Sequence, residues 1–151
     1  MIYYPIFVDL RGRAVLIAGA GPVALRKALG LIEAGAKVTI VAPDAVPEIA
    51  GLHAKLVRRR YRASDLRGKF LVIAATNDRK VNAAIAARAK TLCILVNVAD
   101  APAECDFLVP ARVRDGSLQI ALSTGGENPR VAKAMRKSME SLLSQFREKI
   151  E

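Results

Sequence analysis

Metal and disulfide chemistry have almost nothing to build on in this sequence. It holds one histidine, His53, two cysteines, Cys93 and Cys105, and no tryptophan. The cysteines are too few for a disulfide framework and too far apart for a Cys-x-x-Cys pair, so reduced thiols are expected. A lone histidine gives zinc no site; His53 reads as a surface loop residue, and no metal is expected. No apolar run approaches the roughly 20 residues of a membrane span. The start Met1-Ile2-Tyr3-Tyr4-Pro5 lacks the basic leader and long apolar stretch of a signal peptide, so the expectation is a cytoplasmic protein with no membrane partner. Aromatics are scarce at 5%, and the one dense basic patch, Arg58-Arg59-Arg60 with Arg62, has only Tyr61 to stack a base. That patch reads as a solvated strand end, and no specific nucleic-acid partner is expected.

What is present suits one compact cytosolic domain: 151 residues, of which 52% are hydrophobic. The formal net charge of +10 is spread along the chain, +7 within residues 1–75 and +3 within 76–151, and attracts polyanions in general.

Arg13-Ala14-Val15-Leu16-Ile17-Ala18 is a mostly apolar run that ends in a glycine turn, as a strand covered on both faces does. From Pro22 onward Ala24, Leu25, Ala28, Leu31 and Ile32 recur at helical spacing, and Gly35 stops that helix. Val38-Thr39-Ile40-Val41 follows as a β-branched strand ended by Pro43. Charges interrupt Ala54-Lys55-Leu56-Val57-Arg58, which marks an edge strand; Phe70 to Ala75 carries none and reads as buried. Asp78 caps a helix running to about Leu92, and Ile94-Leu95-Val96-Asn97 returns as a buried strand. Strands alternating with helices imply a parallel α/β sheet of Rossmann type.

After Asp100 the pattern changes. Phe107 to Val113 and Leu118 to Leu122 are two runs joined through Arg114-Asp115-Gly116-Ser117, where Asp-Gly signals a hairpin. Asn128 as N-cap and Pro129 at the first helical position then open a helix with Val131, Met135, Met139, Leu142, Leu143, Phe146 and Ile150 along one stripe. The stripe suits a cover for the sheet and a second subunit equally. The expected division is an NAD-binding domain over 1–105 and a hairpin-and-helix segment over 106–151.

The turn Gly19-Ala20-Gly21-Pro22-Val23-Ala24 follows a strand and opens a helix, the context in which Gly-x-Gly-x-x-Ala binds a dinucleotide. Glycine allows a sharp turn and close approach of backbone to pyrophosphate, and the helix start offers unpaired N–H groups to the phosphates. An acidic residue about 20 positions on binds ribose hydroxyls in NAD sites. Here the second strand ends in Val41-Ala42-Pro43-Asp44, so Asp44 lies slightly late, and a capping role for it stands beside the ribose role. No Arg or Lys is there to receive a 2′-phosphate, so NAD is preferred to NADP.

Ala74-Ala75-Thr76-Asn77-Asp78 and Asn97-Val98-Ala99-Asp100 lie at the C-terminal ends of central strands, where open α/β sheets bind ligands. Thr76 and Asn77 should face the cofactor, and Asn97 the substrate. Asp100 has no obvious basic neighbour in sequence and is a candidate acid or base, with a turn before Ala101-Pro102 as the plainer alternative. Ser123-Thr124-Gly125-Gly126 is a second small-residue loop before a helix, a shape suited to anions and equally to a strand-to-helix turn.

Tyr4 to Arg13, the glycine turn followed by Leu25-Arg26-Lys27, Ala74 to Asp78, Asn97 to Asp100 and Ser123 to Gly126, in that order, resemble the precorrin-2 dehydrogenase family, including the dehydrogenase module of sirohaem synthase. The resemblance implies oxidation of precorrin-2 to sirohydrochlorin with NAD, with Asp100 removing a proton as hydride passes to the nicotinamide. It implies a tetrapyrrole substrate whose carboxylates match the basic balance, with Asn97 and Ser123 to Gly126 on the substrate side. It also implies an intertwined homodimer with the hairpin and last helix at the interface. Some members also insert ferrous iron; members usually continue into a further helical region, whereas this chain ends at Glu151 after one helix, and the resemblance leaves iron insertion open. The rival from another class is a non-catalytic NAD-binding sensor, since the fold hosts such modules. A short-chain dehydrogenase is disfavoured, because Tyr61 is followed four residues later by Asp65 and not by lysine.

Overall fold

The computed structural model describes the backbone of residues 3–150 and side chains through residue 146. Met1, Ile2 and the Ile150 side chain of the expected stripe lie outside that description. Contacts divide the chain into two compact units, one spanning residues 5–107 and one that joins Tyr3 and Tyr4 to the chain from Leu108 onward.

The first unit is a five-stranded, wholly parallel sheet. Its strands are β1 (Ala14–Ala18), β2 (Lys37–Ala42), β3 (Lys55–Arg58), β4 (Leu71–Ala74) and β5 (Leu95–Val98), in the order β3-β2-β1-β4-β5. Val15 of β1 lies opposite Val38 on one side and Leu71 on the other, so the first strand is central. Alternation along β1 feeds two cores. Val15 and Ile17 pack with Ala24 and Ala28 of helix α1 (Pro22–Glu33); Leu16 and Ala18 pack with Ile85, Ala86 and Ala89 of helix α2 (Arg79–Thr91). A strand buried on both faces needs apolar residues at every position, which is why β1 and β4 read as continuous runs.

Capping fixes the helix ends. Asp78 accepts from the N–H groups of Lys80 and Val81, as expected of an N-cap. Gly35 takes φ of +79° after α1, with Ala36 N–H on the Leu31 carbonyl and Gly35 N–H on that of Ile32, a Schellman ending. At the end of α2 the equivalent position is Cys93, φ +53°, with Ile94 N–H on the Ala89 carbonyl. Short 3-10 turns at Pro47–Gly51, Ala63–Leu66 and Pro102–Glu104 were not read from the sequence. The second of these ties Arg59 to Asp65 (2.6 Å), so one arginine of the basic patch is spent internally while Arg58, Arg60 and Arg62 stay exposed.

In the second unit β6 (Ala111–Asp115) and β7 (Leu118–Leu122) form an antiparallel hairpin, followed by α3 (Pro129–Ile150). The hairpin is shorter than the apolar run, because Pro110 precedes the first paired residue. Asp115 pairs with Leu118, which makes Gly116-Ser117 the two-residue turn in place of Asp115-Gly116. Only Gly116 there has positive φ, as a glycine-first hairpin turn requires. Asn128 accepts from the Val131 N–H (3.2 Å) and so caps α3.

Candidate functional site

The C-terminal edge of the sheet gathers the turn after β1, the loops after β2 and β4, and the segment after β5. In an open α/β sheet this edge, where strand order reverses between β1 and β4, is the ligand crevice.

The two glycines of the first turn do different work. Gly19 has φ of +106°, and a Cβ there would lie 2.1 Å from the Ala75 carbonyl oxygen, so the turn packs directly on the end of β4. Gly19 N–H donates to the Val41 carbonyl and the Ala20 carbonyl accepts from Val46, which fixes the turn to the loop after β2. A Cβ on Gly21 would meet nothing within 4 Å. Gly21 is the N-cap of α1 with no side-chain cap, so the N–H groups of the first turn beyond Pro22 lack a side-chain acceptor. Ala20 is buried and Ala24 wholly so, while Pro22 and Val23 are exposed. Space at Gly21, uncapped donors and a 12-residue helix behind them fit the pyrophosphate of a dinucleotide. Pro43 and Asp44 are exposed at the end of β2, and Asp44 has no hydrogen bond or ion pair among the described residues, so it is spent on no cap.

Thr76 and Asn77 follow β4. Asn77 is exposed; Thr76 is half-buried and bound to Asn82, which sequence reasoning missed. Asn82 lies in the first turn of α2 and is wholly buried. Its carboxamide bonds the Thr76 N–H (3.1 Å), hydroxyl (2.7 Å) and carbonyl (3.1 Å) and donates to Asp100 Oδ1 (3.1 Å). Asp100 is 41% exposed, and its Oδ1 also lies 3.6 Å from Arg79 Nη1. The basic neighbour absent from the sequence around Asp100 thus arrives from the start of α2. Arg79 also pairs with Glu104.

Asn97 turns inward. It is 4% exposed; Oδ1 accepts from Lys27 Nζ (2.7 Å) and Nδ2 donates to the Phe107 carbonyl (2.9 Å). Its amide is therefore committed to holding α1 and the chain after β5 together, which is not the outward-facing placement expected of a substrate contact. The Lys27 ammonium is held below the ordinary lysine range, first by burial and then by the nearby Arg26. Cys105 accepts from the Val98 N–H (3.1 Å), so this thiol closes the loop that carries Asp100.

Ser123 to Gly126 lie in the second unit. Ser123 Oγ accepts from Gly125 N–H and Thr124 Oγ1 from Asn128 N–H, both at 3.1 Å, while Gly125 and Gly126 take positive φ. Among the described residues no three His, Cys, Asp or Glu side chains converge as a metal site, and no helix is long and apolar enough to cross a membrane.

Comparison with known proteins bears on both units. A family described as "Putative NAD(P)-binding" matches residues 6–111, and one described as "Sirohaem biosynthesis protein central" matches residues 115–142. The siroheme synthase of Pseudomonas putida (strain W619) is 43% identical over 145 residues, 93% of this chain and 31% of that protein. That of Thioalkalivibrio sulfidiphilus (strain HL-EbGR7) is 40% identical over 147 residues, 95% of this chain and 30% of its own length. The chain thus spans about a third of the curated relatives it matches. A solved structure described as "SirC, precorrin-2 dehydrogenase" superposes with a TM-score of 0.76 at 32% identity, covering 92% of this chain and 70% of the other.

Proposed function

The chain belongs to the precorrin-2 dehydrogenase family, in the form of the NAD(P)-binding module found in siroheme synthases, and on that premise we propose that it oxidises precorrin-2 to sirohydrochlorin with NAD. The observation that carries this reading is the sheet edge itself, where an uncapped glycine turn and an anchored carboxylate stand on loops of one parallel sheet. Gly19 to Val23 would hold the pyrophosphate, Asp44 the ribose after Pro43, and Thr76 with Asn77 the nicotinamide side. Bound NAD supplies the hydride acceptor. Asp100 takes the proton released as the substrate carbon gives up hydride, so the substrate loses one hydride and one proton in all. Asp44, with no Arg or Lys beside it in sequence, favours NAD over NADP.

The tetrapyrrole's carboxylates account for the +10 charge, and the small-residue loop Ser123 to Gly126 is assigned to meet one of them. We assign the exposed stripe on α3 to a homodimer, and the protein to the cytoplasm. Purified protein given precorrin-2 and NAD should form NADH together with the sirohydrochlorin spectrum. NAD binding with no turnover would replace this reading with the sensor module.

A further inference from the structure

We infer that Asn82 is the positioning residue for Asp100: one buried carboxamide, shared with Thr76, holds Asp100 by Oδ1 and leaves Oδ2 as the oxygen that receives the proton. The inference rests on the reading of Asp100 as the base.

Among the described residues only two polar side chains are buried, Asn82 and Asn97. Asn97 serves the packing of α1 against the chain after β5. Asn82 faces the other way, and every hydrogen-bonding position of its amide is filled. A backbone N–H only donates and a carbonyl only accepts, so the two backbone groups of Thr76 fix which end of the amide is which. Oδ1 must face the Thr76 N–H, where it also receives the hydroxyl; Nδ2 must face the Thr76 carbonyl. The remaining amide hydrogen points to Asp100 Oδ1, and that contact calls for an unprotonated acceptor. Arg79 stands beside the same oxygen. A proton arriving at Oδ2 leaves Oδ1 an acceptor for the Asn82 amide, and Oδ2 has no hydrogen-bond partner among the described residues. Thr76 belongs to the cofactor side and Asp100 to the substrate side of the proposed reaction, so Asn82 sets the distance between them.

Two measurements on the full chain test this. The side-chain amide signal of Asn82, assigned by its through-bond and through-space connectivities in the isotope-labelled parent, is followed by ¹⁵N–¹H NMR. Asp100→Ala should shift one of its two protons, the one that loses its acceptor, while the Thr76 backbone amide stays. An unmoved amide overturns the inference. Kinetically, Asn82→Asp and Asn82→Ser should lower kcat by about 10²-fold, the scale of a small misplacement of a reacting group, with KM for precorrin-2 close to that of the parent. A parental kcat in a folded variant, or a loss confined to KM, also overturns it. If neither variant folds, the NMR result decides, because Asp100 is partly exposed and its truncation leaves the core intact. A parent that does not oxidise precorrin-2, or an Asp100→Ala that still does, defeats the functional reading; an unmoved amide beside a normal parent and a dead Asp100→Ala defeats Asn82 alone.

Discussion

Leu16, Ile17, Val72, Ile73 and Ile85 of the sheet unit are all within 1% of full burial, whereas in the hairpin-and-helix unit Val113 alone of the described apolar side chains is buried. Val131, Met135, Leu142 and Phe146 of α3 keep between 42% and 53% of their surface exposed. Burying a large apolar side chain contributes roughly 1.5–3 kcal/mol, so four half-exposed ones leave several kcal/mol available to a covering surface. The sheet unit therefore completes its own core and can hold a site rigidly. The second unit has an amphipathic helix with only one side of its packing supplied, which is the physical case for a second copy. The predictions below test whether chemistry and fold reside in the first unit and assembly in the second.

The largest expected effect is on the fold. Gly19→Ala sets a methyl group against the Ala75 carbonyl oxygen at a backbone angle that side chains rarely adopt, and neither neighbour is the flexible end of a side chain. We expect a loss of about 4 kcal/mol or more in urea unfolding followed by circular dichroism, the range reserved for backbone and core clashes. Gly21→Ala should leave stability within about 0.5 kcal/mol, since its methyl meets only open space. It should still weaken NAD binding measured by calorimetry, because the methyl occupies the approach to the pyrophosphate. Equal effects from the two substitutions would contradict the division of labour between the glycines.

Asp100→Ala comes next. Loss of a general base lowers a rate by about 10²–10⁴-fold, and we expect turnover at the lower limit of detection with NAD affinity retained. An unchanged rate would sink the Asp100 assignment.

The elements that could be read from sequence are those whose causes are local. Continuous apolar runs announced β1 and β4, charges marked β3 as an edge, and Asp78 and Asn128 were visible as caps because an N-cap acts within three residues. Lys27 and Asn82 escaped as site residues because their meaning depends on partners brought by the fold: Asn97 lies 70 residues from Lys27, and Asp100 18 from Asn82. An asparagine inside a helix sequence carries no sign that it will be wholly buried. Asn97 misled for the same reason, since a polar residue at a strand end can face the crevice or the core, and only packing decides. Arg79 beside Asp100 follows from the order β4-β5, which no periodicity encodes.

Assembly should yield to a smaller change. Leu142 is 42% exposed on the α3 stripe, so Leu142→Arg places a charge in the proposed interface. Truncating or charging one central interface residue costs about 1–2 kcal/mol or more, at least about fivefold in the dimer dissociation constant. Light scattering over a dilution series should show the shift to monomer, with the thermal transition of the sheet unit retained. A variant as dimeric as the parent would move the interface elsewhere.

The smallest effect concerns Cys93, which occupies a left-handed position that glycine takes at the end of α1. For a residue with a side chain that conformation costs roughly 1–2 kcal/mol. Replacing it with glycine removes the strain but enlarges the conformational freedom of the unfolded chain, a penalty of about 0.5–1 kcal/mol. The two terms oppose, and strain is the larger, because Cys93 is exposed and loses no packing on truncation. Cys93→Gly should therefore raise stability by about 0.5–1 kcal/mol, while the sulfur itself has no part in the site and turnover stays at the parental rate. Cys93→Ala keeps the strain and should show no gain. A stabilised alanine variant would shift the cause from the backbone to the thiol.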